Sequence, residues 1–486
     1  MCIIERRIAR MKKTHMTFLL VFSVVIISAL LRFYKLADFS FWYDEVFSIQ
    51  TIFSGNLSRL PYPLFYFITD GMFQWLGVSE FTARLIPCLF GILSVYLTYL
   101  CTKLIFDRRT GIIAAALVSI HTWHIFFSQS ARFYIFLYPL VLVSFTAFVY
   151  AVKKNSRKHL ILAVLFALIC PLFHTTGILL FLIYFVFFSI LIFQKTKPDF
   201  ANWKNILISF SPLLLFLFFL PRILSAVGRY LESGPGQIFP LNFGNFLFIL
   251  KGIVFFIGIP VFLFGMVSPV LLWIKDKHKG MLFSLYIGVP LVLFSVLGLV
   301  FRTHARHLFI SLPAYFLVTA FALNQLLEHK KTVLVGSLVI LVIFAVYLSD
   351  DFLYFDRYNG HRAQWKEACQ SIKPCLKDGD IIMTHLPIMP QFYLSEREKP
   401  FEKYEKDVDF SFFDFNYGET DRIEALGKRV WFIVDYTGIH KFGEFDKGVL
   451  NWIKKNSEPI AEFITYTGPR NRSLSVFLFT PEKERD

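Results

Sequence analysis

Asp44 and Glu45 stand side by side in Phe41-Trp42-Tyr43-Asp44-Glu45-Val46-Phe47. A carboxylate in so aromatic a stretch is costly unless it is solvated or partnered. Two readings follow. The pair lies in an interfacial aromatic belt with both carboxylates turned to water, or it supplies a general base to a membrane cavity. Consecutive residues point apart on a helix or a strand, so Asp44 is the candidate base and Glu45 suits orienting. Ser128-Gln129-Ser130-Ala131-Arg132-Phe133-Tyr134 sets one Arg among hydroxyl and amide groups. That set suits an anion clamp, and equally a packed turn between helices. Arg302-Thr303-His304-Ala305-Arg306-His307 gathers two Arg and two His, for a phosphate or for lipid headgroups. His174 ends an apolar run, as a structural histidine or a cavity group. In Pro61-Tyr62-Pro63-Leu64-Phe65-Tyr66, two prolines set an extended turn before an amphipathic helix.

The elements that must position these residues are mostly membrane helices. Hydrophobic residues are 56% of the 486, charged residues 17%, and Phe alone accounts for 60. Soluble chains run near 45–50% and 25%. A disordered chain and a disulfide scaffold are excluded. Spans of about 20 apolar residues are predicted at Met16–Leu31, Phe81–Phe106, Ile112–Phe127, Phe133–Val152, Leu160–Phe173, Gly177–Phe193, Ile206–Leu220, Phe246–Ile274, Met281–Phe301, Leu308–Leu326 and Val333–Leu348. That makes about eleven. Lys251, Gly252 and Pro260 interrupt the eighth, which reads as an interfacial helix followed by a span. Leu64–Leu76 is too short to cross and belongs at the membrane surface.

A net charge of +15 would suggest nucleic acid in a soluble protein. Its distribution argues otherwise. Residues 1–350 hold 30 Lys+Arg and 12 Asp+Glu, whereas 351–486 hold 20 and 23. With the N-terminus cytoplasmic, the inner loops carry 14 Lys and six Arg, and the outer ones eight Arg and one Lys. This is the positive-inside pattern, and no nucleic-acid partner is expected. Met16–Leu31 lacks a small-residue cleavage site, so it reads as a retained span rather than a signal peptide. Eleven spans put residues 351–486 outside the cell. The outer Arg set, chemically suited to bidentate phosphate binding, points to an outer face that handles an anion; for each Arg taken singly, snorkelling to the interface is the competing reading.

Residues 361–372 read as a short helix, 380–384 as a buried strand and 387–394 as a helix. Strand 429–436, helix 445–456 and strands 460–467 and 473–480 follow. Residues 396–422 show no period and read as a loop. The pattern is a small α/β domain. It has no glycine-rich phosphate fingerprint, so no cofactor is assigned. Of six cysteines only Cys369 and Cys375 fall there, as free thiols or as a pair. No zinc-type spacing occurs, and metal independence is expected.

In order along the chain, these motifs resemble those of polytopic glycosyltransferases of the C-type (GT-C) fold, specifically bacterial relatives of protein O-mannosyltransferases and aminoarabinose–lipid A transferases. The resemblance runs through Asp44-Glu45, Pro61–Tyr66 (the family's His-Pro-Pro-Leu-Tyr-Tyr), Ser79-Glu80-Phe81-Thr82-Ala83-Arg84 and Ser128–Tyr134 (its Ser-Gln-Glu-Ala-Arg-x-Tyr). It ends at Arg306-His307-Leu308 with Pro313, and Trp365…Gly379-Asp380 is similar to the start of the family's C-terminal domain. Pro61 and Tyr62 replace the family's His and first Pro, and Ser130 replaces its Glu.

The resemblance implies a GT-C transmembrane catalytic domain over 1–350, with outer loop 32–80 carrying the Asp-Glu motif, and an extracytoplasmic α/β domain over 351–486. It implies a multi-pass plasma (inner) membrane enzyme that takes a sugar from a polyprenyl-phosphate donor to a hydroxyl on a lipid, glycan or protein acceptor. Asp44 would act as the base of an inverting displacement, aided by Glu45. Arg132, Arg306, Arg302 and Tyr134 would hold the donor phosphate. Tyr43, Tyr62, Tyr66, Arg84, Gln129 and His174 would line the cavity. A transporter of lipid-linked sugars and a non-catalytic assembly partner are the alternatives. Acidic residues avoid the span centres and no internal repeat is visible, which disfavours the first.

Overall fold

The computed structural model describes residues 2–55, 57, 63–194, 199–211, 214, 243–300, 303–396, 400–401, 406–413, 420, 423, 426–436, 447–467 and 470–481. Helix α1 spans Cys2–Phe33, α2 Tyr43–Phe53, α3 Leu64–Leu76 and α4 Glu80–Ile105. Then come α5 (Arg108–Ser119), α6 (Thr122–Ser128), α7 (Tyr134–Lys154), α8 (Arg157–Phe173), α9 (Leu179–Ile192) and α10 (Trp203–Phe210). The remaining membrane-region helices are α11 (Phe243–Ile257), α12 (Ile259–Lys275), α13 (Lys277–Val300), α14 (Leu312–Glu328) and α15 (Val333–Phe352). Among the described residues, seven helical segments are long and apolar enough to cross a membrane, or nine if each of two bent pairs counts as one span. Predicted span Leu160–Phe173 coincides with α8, at 17 residues. Most of Ile206–Leu220 lies outside the described residues.

Burial separates central from peripheral helices. The apolar windows in Tyr134–Lys154 and Ala305–Glu328 are 78% and 83% buried, whereas those in His15–Phe33 and Val333–Arg357 are 17% buried. The first two form the middle of the bundle, and the latter two present their apolar faces outward.

The bent pairs have local causes. Predicted span Ile112–Phe127 is broken by 65° into α5 and α6. At the break the Arg32 guanidinium donates to the Val118 and Ser119 carbonyls, at 3.2 and 2.9 Å. It thereby satisfies carbonyls that a continuous helix would bond internally. His121 is extended, and its ring nitrogen accepts from the His124 N–H to start α6. Arg32 also bonds Ser28, Ser128 and His124. Gly91 makes this packing possible, because a Cβ there would fall 2.1 Å from Ser128 Oγ. The interrupted run 246–274 is two helices bent by 103°. Gly258 forms the corner at φ +86°, a conformation that L side chains disfavour.

Hydrogen bonds define the two ends of the bundle. Asp107 caps α5 and accepts from Asn324, while Lys275 reaches Gln325. That end carries the Lys-rich loops. Arg32, Arg84, Arg132, Arg306 and Arg362 gather at the other.

Beyond α15 lie α16 (Trp365–Ile372), α17 (Ile388–Leu394) and α18 (Lys447–Asn456). The main sheet has strands β1 (Ile381–Thr384), β2 (Asp409–Phe412), β3 (Val430–Asp435), β4 (Glu458–Phe463) and β7 (Leu474–Phe479). Its order is β2-β1-β3-β7-β4, parallel at β2-β1-β3 and antiparallel at β3-β7 and β7-β4. Tyr466–Thr467 (β5) and Arg470–Asn471 (β6) pair separately. Strand β2 falls in the stretch expected to be a loop. It is an edge strand that pairs with β1, and at four residues its alternation Asp409-Phe410-Ser411-Phe412 is too short to stand out from the stretch around it. One buried core runs from the bundle, at Val95 and Phe148, into this part at Trp365 and Trp431. Cys369 and Cys375 are free thiols. Burial pushes the Cys369 thiol up, while Cys375 is exposed.

Candidate active site

Helix α2 places the two carboxylates. Trp42 is extended just before it, and Glu45 Oε2 accepts from the Trp42 N–H at 3.1 Å. Two carboxylates in a first turn complement the helix dipole. One residue of helical advance then sends Asp44 and Glu45 to different surroundings.

Glu45 is enclosed. Arg84 grips it in bidentate fashion, Nε to Oε1 at 3.0 Å and Nη2 to Oε2 at 2.9 Å. The Ala131 N–H donates to Oε1 at 2.7 Å, and Arg362 Nε stands 3.4 Å from Oε2. All three side chains are fully buried. Burial alone would raise the carboxyl pKa; Arg84, Arg362 and the Ala131 amide outweigh it and hold Glu45 below the usual carboxylate range. Both oxygens are occupied, which is the arrangement of an orienting group.

Asp44 is partly open, with its side chain 21% exposed. Its Oδ2 accepts from Arg306 Nη1 at 2.8 Å. Arg306 stands on the 3-10 turn Ala305–Ser311 before α14. From the loop after α6, Arg132 Nη1 donates to the Asp44 carbonyl at 3.0 Å and to Ser48 Oγ at 2.5 Å. Arg132 lies 4.5 Å over the Phe133 ring, and its Nε is buried without an acceptor among the described residues. Asp44, Arg132 and Arg306 therefore converge on one partly open spot.

Other expected site residues lie around this spot in different ways. Tyr43 is exposed and stacks on Phe47. His174 Nδ1 is engaged by Thr176, and its ring stacks on Phe133 and on His307. Tyr134 packs between Phe127, Phe133 and His174. Tyr66 is buried against Phe65. Arg84 and Gln129 are fully buried and engaged by protein groups. The remaining Arg84 donors serve the carbonyls of Leu36, Phe39 and Ser40. Gln129 donates to the Arg32 and Tyr34 carbonyls and accepts from Tyr354 Oη. Tyr62 and Arg302 lie outside the described residues.

Three participants carried no distinguishing signal in the sequence. Ser48 lies one helical turn after Asp44 in an ordinary helix pattern. Arg362 stands in a region of mixed charge, where one more Arg attracts no notice. Arg32 was visible only as one of the outer arginines. Two Asp-x-Asp stretches occur in the C-terminal part, at Asp378 to Asp380 and Asp407 to Asp409. Asp380 is spent on Trp431 Nε1 and the Lys377 N–H. Among the described residues no three His, Cys, Asp or Glu gather in a metal-binding group.

Residues 60–221 match the family model of dolichyl-phosphate-mannose-protein mannosyltransferase. No curated protein matches the chain significantly in sequence. Among solved structures, ArnT from Cupriavidus metallidurans bound to undecaprenyl phosphate matches with TM-score 0.60 and 10% identity, over 94% of this chain and 97% of that one. Its apo form matches with TM-score 0.58 and 12% identity, over the same shares. The oligosaccharyltransferase AglB from Archaeoglobus fulgidus, in complex with an inhibitory peptide and a dolichol-phosphate, matches with TM-score 0.54 and 12% identity, over 98% of this chain and 75% of that one.

Proposed function

We propose, from the premise that the chain is a polytopic glycosyltransferase of the C-type fold, that it transfers a sugar from a polyprenyl-phosphate donor to an acceptor hydroxyl on the extracytoplasmic face. Asp44 removes the hydroxyl proton. The oxygen attacks the anomeric carbon from the side opposite the phosphate, the bond to the phosphate oxygen breaks, and the configuration inverts. Arg132 and Arg306 take up the charge on the departing lipid phosphate.

The observation that carries this reading is the meeting of Arg306 and Arg132 at Asp44. Around them, among the described residues, Arg84 and Arg362 pair with Glu45, Arg306 pairs with Asp44, and Arg132 bonds the Asp44 carbonyl. A released phosphate monoester carries about −1.5 to −2, so guanidinium groups at this spot suit the product and favour the transition state that leads to it. Guanidinium forks match phosphate geometry. The ligands bound in the similar structures, undecaprenyl phosphate and dolichol-phosphate, lend support.

The test is release of polyprenyl phosphate by the purified protein in lipid, given a defined polyprenyl-phosphate sugar and acceptor. Arg132→Ala and Arg306→Ala are each expected to lower kcat/KM for the donor by about 10–100-fold, the worth of a charge-assisted hydrogen bond. If both variants match the wild type, the phosphate assignment is wrong. If the wild type releases nothing with any acceptor class, the transferase reading falls.

The division at residue 350, the eleven spans and the outward position of the C-terminal part belong to the same proposal. Cys375 is exposed, so a membrane-impermeant maleimide is expected to label intact spheroplasts, and Cys375→Ser to remove that label. Labelling only after lysis would invert the topology.

A further inference from the structure

Arg362 lies beyond the last membrane helix, yet its side chain ends inside the site. It is fully buried. Nη2 donates to the Gln129 carbonyl at 2.7 Å and to Ser130 Oγ at 3.0 Å. Nη1 donates to the Gly360 carbonyl at 2.7 Å and meets Tyr354 Oη at 3.3 Å. Nε faces Glu45, and the guanidinium lies 5.1 Å over the Phe126 ring.

These contacts join two segments with different tasks. Glu45 adjoins Asp44 on α2. Gln129 and Ser130 precede Arg132 on the loop after α6, and the Ala131 N–H closes the link by donating to Glu45. Neighbouring outer residues hold the same part of the site. Ser40 Oγ donates to Glu367, the Lys366 N–H donates to Ser40, and the Phe41 N–H donates to Tyr393 Oη. Phe41 also packs edge-on against Phe392.

We infer that Arg362 is a positioning residue that sets the placement of Asp44 relative to Arg132, and that through it the seating of the outer domain governs the rate of transfer; this rests on the transferase reading above. Arg362 reaches neither Asp44 nor Arg132 directly. It acts through the Glu45 carboxylate and the 129–131 backbone. Removing it leaves Glu45 paired with Arg84, so the carboxylate is not stranded and the bundle keeps its fold. What changes is how firmly the 129–132 loop is held against α2. A misplacement on the order of 1 Å in reacting groups costs about 100-fold.

The experiment compares wild type, Arg362→Met and Arg362→Lys in lipid, with three readouts: thermal unfolding, donor kinetics, and amide hydrogen exchange of peptides covering 43–48 and 128–134. Arg362→Met is expected to melt near the wild type. Its kcat should fall about 10–100-fold with donor KM within about threefold, since Arg132 and Arg306 remain, and exchange should rise in those two peptides only. Arg362→Lys restores the charge without the planar fork and is expected to remain slow. Wild-type kcat with unchanged exchange overturns the inference. So does a loss of kcat that tracks the folded fraction, with exchange raised throughout the chain. If Arg362→Met does not fold, the same kinetics and exchange on Arg362→Lys decide. If the wild type is no transferase, the functional reading falls alone, and the exchange arm still decides whether Arg362 couples the two segments.

Discussion

Asp44→Asn is expected to slow turnover by about 10²–10⁴-fold, the usual worth of a general base, with the fold intact. The substitution is nearly isosteric. The Asn amide oxygen can still accept from Arg306, and the bond from Arg132 runs to the backbone carbonyl at position 44, which the change does not touch. The lost features are the negative charge and the ability to take a proton. Removing that charge leaves Arg306 freer for a phosphate, so donor KM is expected to hold or fall while kcat collapses. This split separates the proposed base from the proposed phosphate-binding arginines, whose loss would act on donor use. Measured with one defined donor and acceptor in lipid, turnover within twofold of the wild type would remove Asp44 from the mechanism. A non-catalytic assembly partner would be indifferent to the change.

The adjacent substitution acts on stability. Glu45→Gln leaves two buried guanidinium groups around a neutral amide, and breaking a buried pair in this way costs about 3–5 kcal/mol. The same amount is a large part of a typical total stability of about 5–15 kcal/mol. Loss of folded protein and a large drop in melting temperature in lipid are expected. The pH dependence has a definite sign. Glu45 is held below its ordinary value in the folded state, and its unfolded value is near 4.3. Its contribution is therefore complete above that pH and is lost as pH falls through the depressed folded value. The wild type should lose this share of stability in acid, and any Glu45→Gln protein that folds should lack that share of the acid sensitivity. A variant that melts with the wild type at neutral pH would mean that the enclosed pair is energetically idle. On the proposed mechanism two neighbouring carboxylates divide the work, one for rate and one for architecture.

Much of the membrane region was legible because a bilayer imposes a simple rule on sequence. Apolar runs and the Lys-rich loops between them mark helices, and Leu64–Leu76, too short to cross, is a helix with those bounds. The excess of Arg on one side pointed to Arg132 and Arg306, which do meet at Asp44. The break between α5 and α6 was hidden: Ser119, His121, Thr122 and His124 interrupt the apolar run there, but the cause of the bend, Arg32, lies in another helix. Glu45 and Arg84 were legible as neighbours of the chemistry, but not as each other's partners. Such a pairing depends on how helices cross, and a single sequence carries no record of that. Arg362 was hidden for a similar reason, because its partners are 317 and 232 residues away in the chain.

That separation has a consequence for how the protein is made. Segments emerge from the ribosome in order, and earlier parts begin to fold before later ones exist. All the membrane helices described, α1 through α15, are complete by residue 352, ten residues before the arginine that closes the cluster around Glu45. Until then the nascent chain holds the Glu45–Arg84 pair, the Gln129 carbonyl and the Ser130 hydroxyl without the cation that joins them. A chain that stalls at that stage can be fully inserted in the membrane and still lack an ordered site. Completion of the cluster around Glu45 is therefore a late event in biosynthesis.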